Sequence, residues 1–171
     1  MLLSPAVPLR NERVVGSKTI VQEEFFKICI RLTELQRKHF INILGLIRIG
    51  GDLGPYYRKG IGLNRDDLLM NHGVMHLHLG GSSSDALLYL LQYESYVVLL
   101  RIDNHSYVDE RPVGNSLPIL DIRRAGRLVA EKRADEATEG KAIDEEARTS
   151  LEKLRCASQK RRLSARKSST E

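Results

Sequence analysis

The sequence predicts an α+β protein: an N-terminal helix or helical hairpin packed on a small antiparallel sheet, followed by a charged helical or disordered C-terminal extension. Three observations carry this. Apolar residues recur at helical spacing within residues 18–48. Three short runs rich in Leu, Val and Ile follow between residues 74 and 102, each of strand length. After "NSLPIL" the large apolar residues thin out and charged residues take over.

Each element has a local reason. Residues 1–17 carry Pro5, Pro8 and Gly16 and little periodicity. They read as a flexible arm, with a short strand conceivable at "RVVG". In residues 18–48, Val21, Phe25, Ile28, Leu32 and Leu35 fall at alternating spacings of four and three, one stripe on a helix. Ser17 or Thr19 would cap it, with Gln22 completing a capping box after Thr19. Gly45, Gly50, Gly51 and Gly54 end this element or divide it, and a hairpin would turn near Lys38–His39. The segment "GGDLGPYYRKGIGLNR" (50–65) is too rich in glycine for a long regular element and reads as a loop. A short helix over 65–71 would start at Asn64 as its cap.

The strands come next. In 74–79, Met75, Leu77 and Leu79 alternate with Val74, His76 and His78. Gly80–Ser84 is turn-rich. "ALLYLLQ" (86–92) and "YVVLLRI" (96–102) are joined by "YES", short enough for a hairpin. Leucine also favours helix, so 85–92 has a helical alternative capped by Asp85. The short loop and the β-branched partner run favour strand. Residues 121–155 hold Ala, Glu, Lys and Arg in helical proportions with a thin apolar stripe, at best a solvated helix. The core domain therefore spans 18–115 and the extension 116–171, and removal of 121–171 is expected to leave the fold intact.

Composition narrows the function classes. The 171 residues suit one domain with extensions. The net charge of +5 is uneven: residues 1–120 hold 13 Lys/Arg against 12 Asp/Glu, whereas 121–171 hold 14 against 10. The positive excess belongs to the extension, which suits nonspecific contact with a polyanion. Cys29 and Cys156 lie far apart and form neither a disulfide framework nor a zinc motif, which points to a reducing, cytoplasmic setting. The N-terminus "MLLSPAVPLRNERVV" lacks the basic start and apolar run of a signal peptide. The apolar run "FINILGLIRIGG" carries Arg48 and is too short to span a bilayer, so no membrane association is expected. Phosphate-binding glycine loops, a nucleophile elbow and paired catalytic carboxylates are missing from the sequence.

One constellation remains. Residues i and i+2 of a strand share a face, so His76 and His78 project together. His105 falls just past the third strand, with Arg101 inside it and Tyr89 or Tyr93 on the strand between. Three uses fit. Histidines supply a base and an acid near neutral pH, and an arginine supplies a cation for phosphate, the set that RNA cleavage needs. Three histidines can also hold a transition metal with one position open. The third use is bland: the histidines are polar residues on the solvated face of a half-buried strand, with Leu77 and Leu79 in the core and His76 and His78 outside it. The loop "YYRKG" adds Tyr57, Arg58 and Lys59, with Arg65 beyond, and aromatic plus basic residues suit single-stranded nucleic acid.

The stretch "LLYLLQYESYVVLLRIDNHSY", preceded by a helical region, a loop and a strand, resembles the RelE/ParE superfamily of small toxins, although "MHLHL" stands where that family usually has a basic strand. The resemblance covers about residues 20–110, and its specific part is 74–107. It implies helices packed on a twisted antiparallel sheet and cleavage of messenger RNA on the ribosome, without cofactor or metal, using basic residues, tyrosine or histidine on the sheet. It also implies an antitoxin protein as partner. By that resemblance Arg101, His105 and Tyr89, with Arg58, Lys59 and Arg65 of the loop, would line the site. Arg101 would hold phosphate, His105 would move a proton, and His76 or His78 would be its counterpart. The rival expectation is a non-catalytic interaction or nucleic-acid-binding module.

Overall fold

A mixed five-stranded sheet lies at the centre of the molecule, with its leucine-rich strands innermost. The computed structural model describes residues 4–57, 67–81, 84–105 and 119–167. In chain order the elements are β1 (Thr19–Val21), β2 (Lys27–Ile28), α1 (Glu34–Ile49), a 3-10 turn (Gly54–Tyr56), α2 (Asp67–His72), β3 (Val74–His78), β4 (Leu87–Gln92), β5 (Tyr96–Asp103) and α3 (Ile119–Lys167). The fold is α+β, and its main body is the expected antiparallel meander β3–β4–β5. Hairpin closure follows from the bond between Tyr93 N–H and the Tyr96 carbonyl, 2.8 Å, across the short "YES" connection. The helical alternative for 85–92 is therefore not adopted.

The helix expected over 18–48 forms only in its second half. Thr33 caps α1 with Gln36 in a reciprocal capping box, so the N-terminal signal lies fourteen residues beyond Thr19. Upstream of it the chain is extended, and β1 and β2 pair parallel with β5: Thr19, Ile20 and Val21 against Tyr96, Val97 and Val98, then Lys27 and Ile28 against Arg101 and Ile102. The β-branched residues Thr19, Ile20 and Val21 suit that edge. No turn occurs at Lys38–His39, where α1 runs on unbroken to Gly50. Gly50 ends it in the left-handed region (φ 68°), and a Cβ there would lie 2.8 Å from the Ser17 backbone nitrogen.

Both faces of the sheet are covered. On one, Ile43 and Ile47 of α1, with Leu53, Tyr56 and Leu69, pack on Met75, Leu77, Leu79, Leu88, Leu90 and Leu99. On the other, Ala125 and Val129 of α3 pack with Val74, Leu87, Tyr89, Leu91 and Val98. The first compact unit accordingly spans Met1–Ala130, so the core reaches past residue 115 and takes in part of the expected extension. The arm is tied down as well. Leu9 N–H donates to the Gln92 carbonyl (2.7 Å) and Ala6 N–H to the Gly126 carbonyl (2.9 Å). The approach is so close that a Cβ on Gly126 would stand 2.7 Å from the Ala6 carbonyl oxygen.

The second unit, Glu131–Glu171, is helical through Lys167. Its described side chains are mostly exposed, Ile143 and Leu151 among them. This agrees with a solvated helix of strong helix formers. Among the described residues no helix is long and apolar enough to cross a membrane.

Candidate active site

Strand register brings the predicted residues into two rows at one end of the sheet. His76 lies opposite Tyr89, and Tyr89 opposite Arg101. His78 lies opposite Leu87, and Leu87 opposite Asp103. Cross-strand partners share a face. Arg101 reaches this face because the register shifts at Tyr89/Leu90: Leu90 pairs with Leu99 while Tyr89 pairs with Arg101. Leu100 is the extra residue. It packs with the α3-side core, and Arg101 after it falls on the same side, with Ile102 returning to the α1 side. A bulge that re-aims a side chain is the usual consequence of one inserted residue.

The imidazoles form a line. The ring centroids of His76 and His78 are 5.7 Å apart, and those of His78 and His105 5.3 Å. His76 also lies 6.3 Å from the Tyr89 ring. Contrary to the expected solvated face, His76 is only 9% exposed and His78 2%. The physical reason lies in neighbours that alternation in β3 alone does not reveal: Tyr89 beside His76, and His105 and the Ser84 carbonyl beside His78, on the face that also carries the second apolar cluster. His78 Nδ1 lies 3.2 Å from the Ser84 carbonyl. Tyr89 is fully buried and donates its hydroxyl to the Asn104 carbonyl at 2.7 Å. It is an anchor for the loop after β5, not an exposed stacking platform. The Arg101 side chain is 12% exposed and lies 3.7 Å from Asp103.

His105 stands apart from the others. Its side chain is 29% exposed, and Nδ1 is 2.6 Å from Asp85 Oδ1. The same oxygen accepts the backbone N–H of His105 at 3.2 Å. The two hydrogen bonds, the side-chain one foremost, hold the Asp85 carboxyl below its ordinary pKa. Three residues outside the predicted set complete the cluster: Asp85, Asp103 and Cys29. Asp85 was legible only as a helix cap, and Asp103 and Cys29 gave no local signal. Cys29 N–H donates to the Ile102 carbonyl at 2.9 Å, beside the Arg101–Asp103 pair. Burial, then the charge of Asp103, pushes its thiol pKa up, which disfavours a thiolate nucleophile.

The loop residues do not join this cluster. Tyr57 packs against the α1-side core, accepts the Val14 N–H at 2.7 Å and lies under the Arg13 guanidinium at 5.8 Å. Burial raises its phenol above the ordinary value. Arg58, Lys59 and Arg65 lie outside the described residues. His39 serves the other face, where its Nδ1 accepts the Gly80 N–H at 2.9 Å and its ring meets Tyr56 edge-on. A surface groove of about 510 Å³ opens at Ser17, Lys18, Thr19, Arg48 and Ser95, and none of the predicted residues line it. Among the described residues no group of three or more His, Cys, Asp or Glu side chains is placed to hold a metal ion.

The fold and site together define an α+β protein with His76 and His78 buried on the face that carries the second apolar cluster, and His105 paired with Asp85 at the end of the sheet. Comparison with known proteins finds no matching family model, curated protein or solved structure.

Proposed function

We propose that the chain is a toxin-like endoribonuclease that cuts RNA by metal-independent acid–base chemistry centred on His105. The observation that supports this reading best is the partly exposed His105 ring, held by Asp85 2.6 Å away at the end of the sheet. An imidazole so placed can take the proton of a ribose 2′-hydroxyl near neutral pH. Arg101 is the candidate for phosphate among the predicted residues that the structure describes, and it would have to exchange Asp103 for substrate. His76 and His78 are too buried to touch RNA in this arrangement, so their part is to support the rim. RNA, an antitoxin protein and a cytoplasmic setting belong to the same proposal, and it requires no cofactor.

The test is cleavage of messenger RNA by the full chain with translating ribosomes, in the presence of a chelator. General acid–base removal lowers a rate by about a hundredfold to ten-thousandfold, so His105→Ala should lose both cleavage and growth arrest on expression while its melting curve stays cooperative. Loss of wild-type activity on chelation would refute the metal-independent form. A wild-type protein that neither cuts RNA nor slows growth would refute the enzyme. The second reading, an interaction module, is favoured by the exposed charged helix after residue 130. It predicts no cleavage and no effect of His105→Ala.

A further inference from the structure

We infer that Asp85 is a positioning residue for His105, fixing the imidazole with its proton on Nδ1 and leaving Nε2 as the nitrogen that accepts one. The inference rests on the reading of His105 as the proton-transfer residue. It stands on the way both partners are held. One carboxylate oxygen of Asp85 receives two bonds from the same residue, the ring Nδ1 at 2.6 Å and the backbone N–H at 3.2 Å. An ionised carboxylate only accepts, so the shared proton on the ring side belongs to Nδ1.

The pair is also anchored from beneath on both sides. Next to Asp85, the Ser84 carbonyl lies 3.2 Å from His78 Nδ1, and the Ser84 hydroxyl oxygen is 3.2 Å from both Gln36 Nε2 and the Ala86 N–H. Next to His105, the Asn104 carbonyl accepts the Tyr89 hydroxyl at 2.7 Å, and Asn104 N–H donates to Asp103 Oδ1 at 2.9 Å. The buried His78 and Tyr89 thus hold Ser84 and Asn104, the residues that directly precede Asp85 and His105. This gives the sealed residues a purpose that the exposed pair alone does not explain. An exposed pair adds little to stability, so its consequence lies in which nitrogen carries the proton. In catalytic histidine–carboxylate pairs, removal of the carboxylate charge costs activity by allowing the wrong tautomer.

The experiment reads the tautomer and the activity separately. Two-bond proton–nitrogen spectra of the ¹⁵N-labelled full chain at neutral pH are compared for wild type, Asp85→Asn and Asp85→Glu. Expected are an Nδ1–H tautomer for His105 in wild type, loss of that preference in Asp85→Asn, and its return in Asp85→Glu. RNA cleavage should follow the same order, with a fall for Asp85→Asn between about tenfold and the roughly ten-thousandfold loss seen when the carboxylate of a catalytic histidine–carboxylate pair becomes an amide. An Nε2–H tautomer in wild type, or an unchanged one in Asp85→Asn, overturns the inference whatever the activity. Wild-type protein that shows the Nδ1–H tautomer but cuts no RNA overturns the enzyme reading instead, and with it the catalytic meaning of the contact.

Discussion

Under α1 the sheet presents Met75, Leu77, Leu88, Leu90 and Leu99, apolar from end to end. Under α3 the same strands present Val74, Leu91 and Val98 at one end but His76, His78, Tyr89, Arg101 and Asp103 at the other. Both faces are dry, so the difference is not one of solvent. It lies in what each face must hold. The α1 face holds α1, the 3-10 turn and α2 mainly by packing, aided by His39 at Gly80 and Asn42 at Tyr56. The α3 face holds loops as well as a helix, and loops are held by directed bonds: Ser84 at His78, Asn104 at Tyr89, and Asp103 near Arg101. Buried polar residues near the end of a sheet offset their desolvation when their bonds fix the adjoining loops.

The largest test of this comparison removes a layer. Deletion of residues 119–171 strips Ala125 and Val129 and leaves the α3 face uncovered. Its thermal transition by circular dichroism should broaden or vanish, whereas deletion of 131–171 alone should leave the transition cooperative. A sharp transition in the longer deletion would show that the second layer is dispensable, as the sequence by itself suggested.

Point substitutions divide the faces more finely. Leu77→Ala should cost roughly 2–4 kcal/mol in urea denaturation, the range for a buried leucine. His78→Ala should cost about 1–3 kcal/mol, because it leaves a cavity and strands the Ser84 carbonyl. A His78→Ala protein as stable as wild type would make the histidine face solvated after all. Gly126→Ala should cost roughly 1–3 kcal/mol by pushing the arm off α3. The same substitution in a chain lacking residues 1–9 should cost much less, which separates the arm clash from any effect on the helix itself.

The smallest expected effect is on pH. The Asp85 carboxyl is held below its ordinary value by His105, so the clasp contributes above the ordinary carboxylate range and is lost as pH falls through the lowered value. The His105 amide should therefore lose exchange protection on strong acidification and keep it through the weakly acidic range. In Asp85→Asn that acid step should be absent. A protected amide at every pH would show that the loop is held without the carboxylate.

Much of the fold was legible locally. The meander rests on short runs of leucine and β-branched residues with a three-residue connection, and the C-terminal helix rests on its helix formers. The first helix was misplaced because Val21, Phe25, Ile28 and Leu32 fit a helical stripe as well as they fit an irregular extended segment. The better signal was Thr33 with Gln36, three residues apart. The solvated histidine face was a misreading of one strand in isolation. β4 is buried at every residue and β5 at nearly every one, and a continuous apolar run of that kind already says that both faces are covered.

The sequence by itself determined which segments are helix or strand over most of the chain and that β3 carries two histidines on one side, because periodicity and propensity are local. Only the tertiary structure decided that this side is dry, that β1 and β2 join β5 in parallel, and that Asp85 meets His105 across twenty residues. These depend on which surface covers which. They also depend on one inserted residue near Leu100, which turns Arg101 and Asp103 toward the histidines, and no local pattern specifies either.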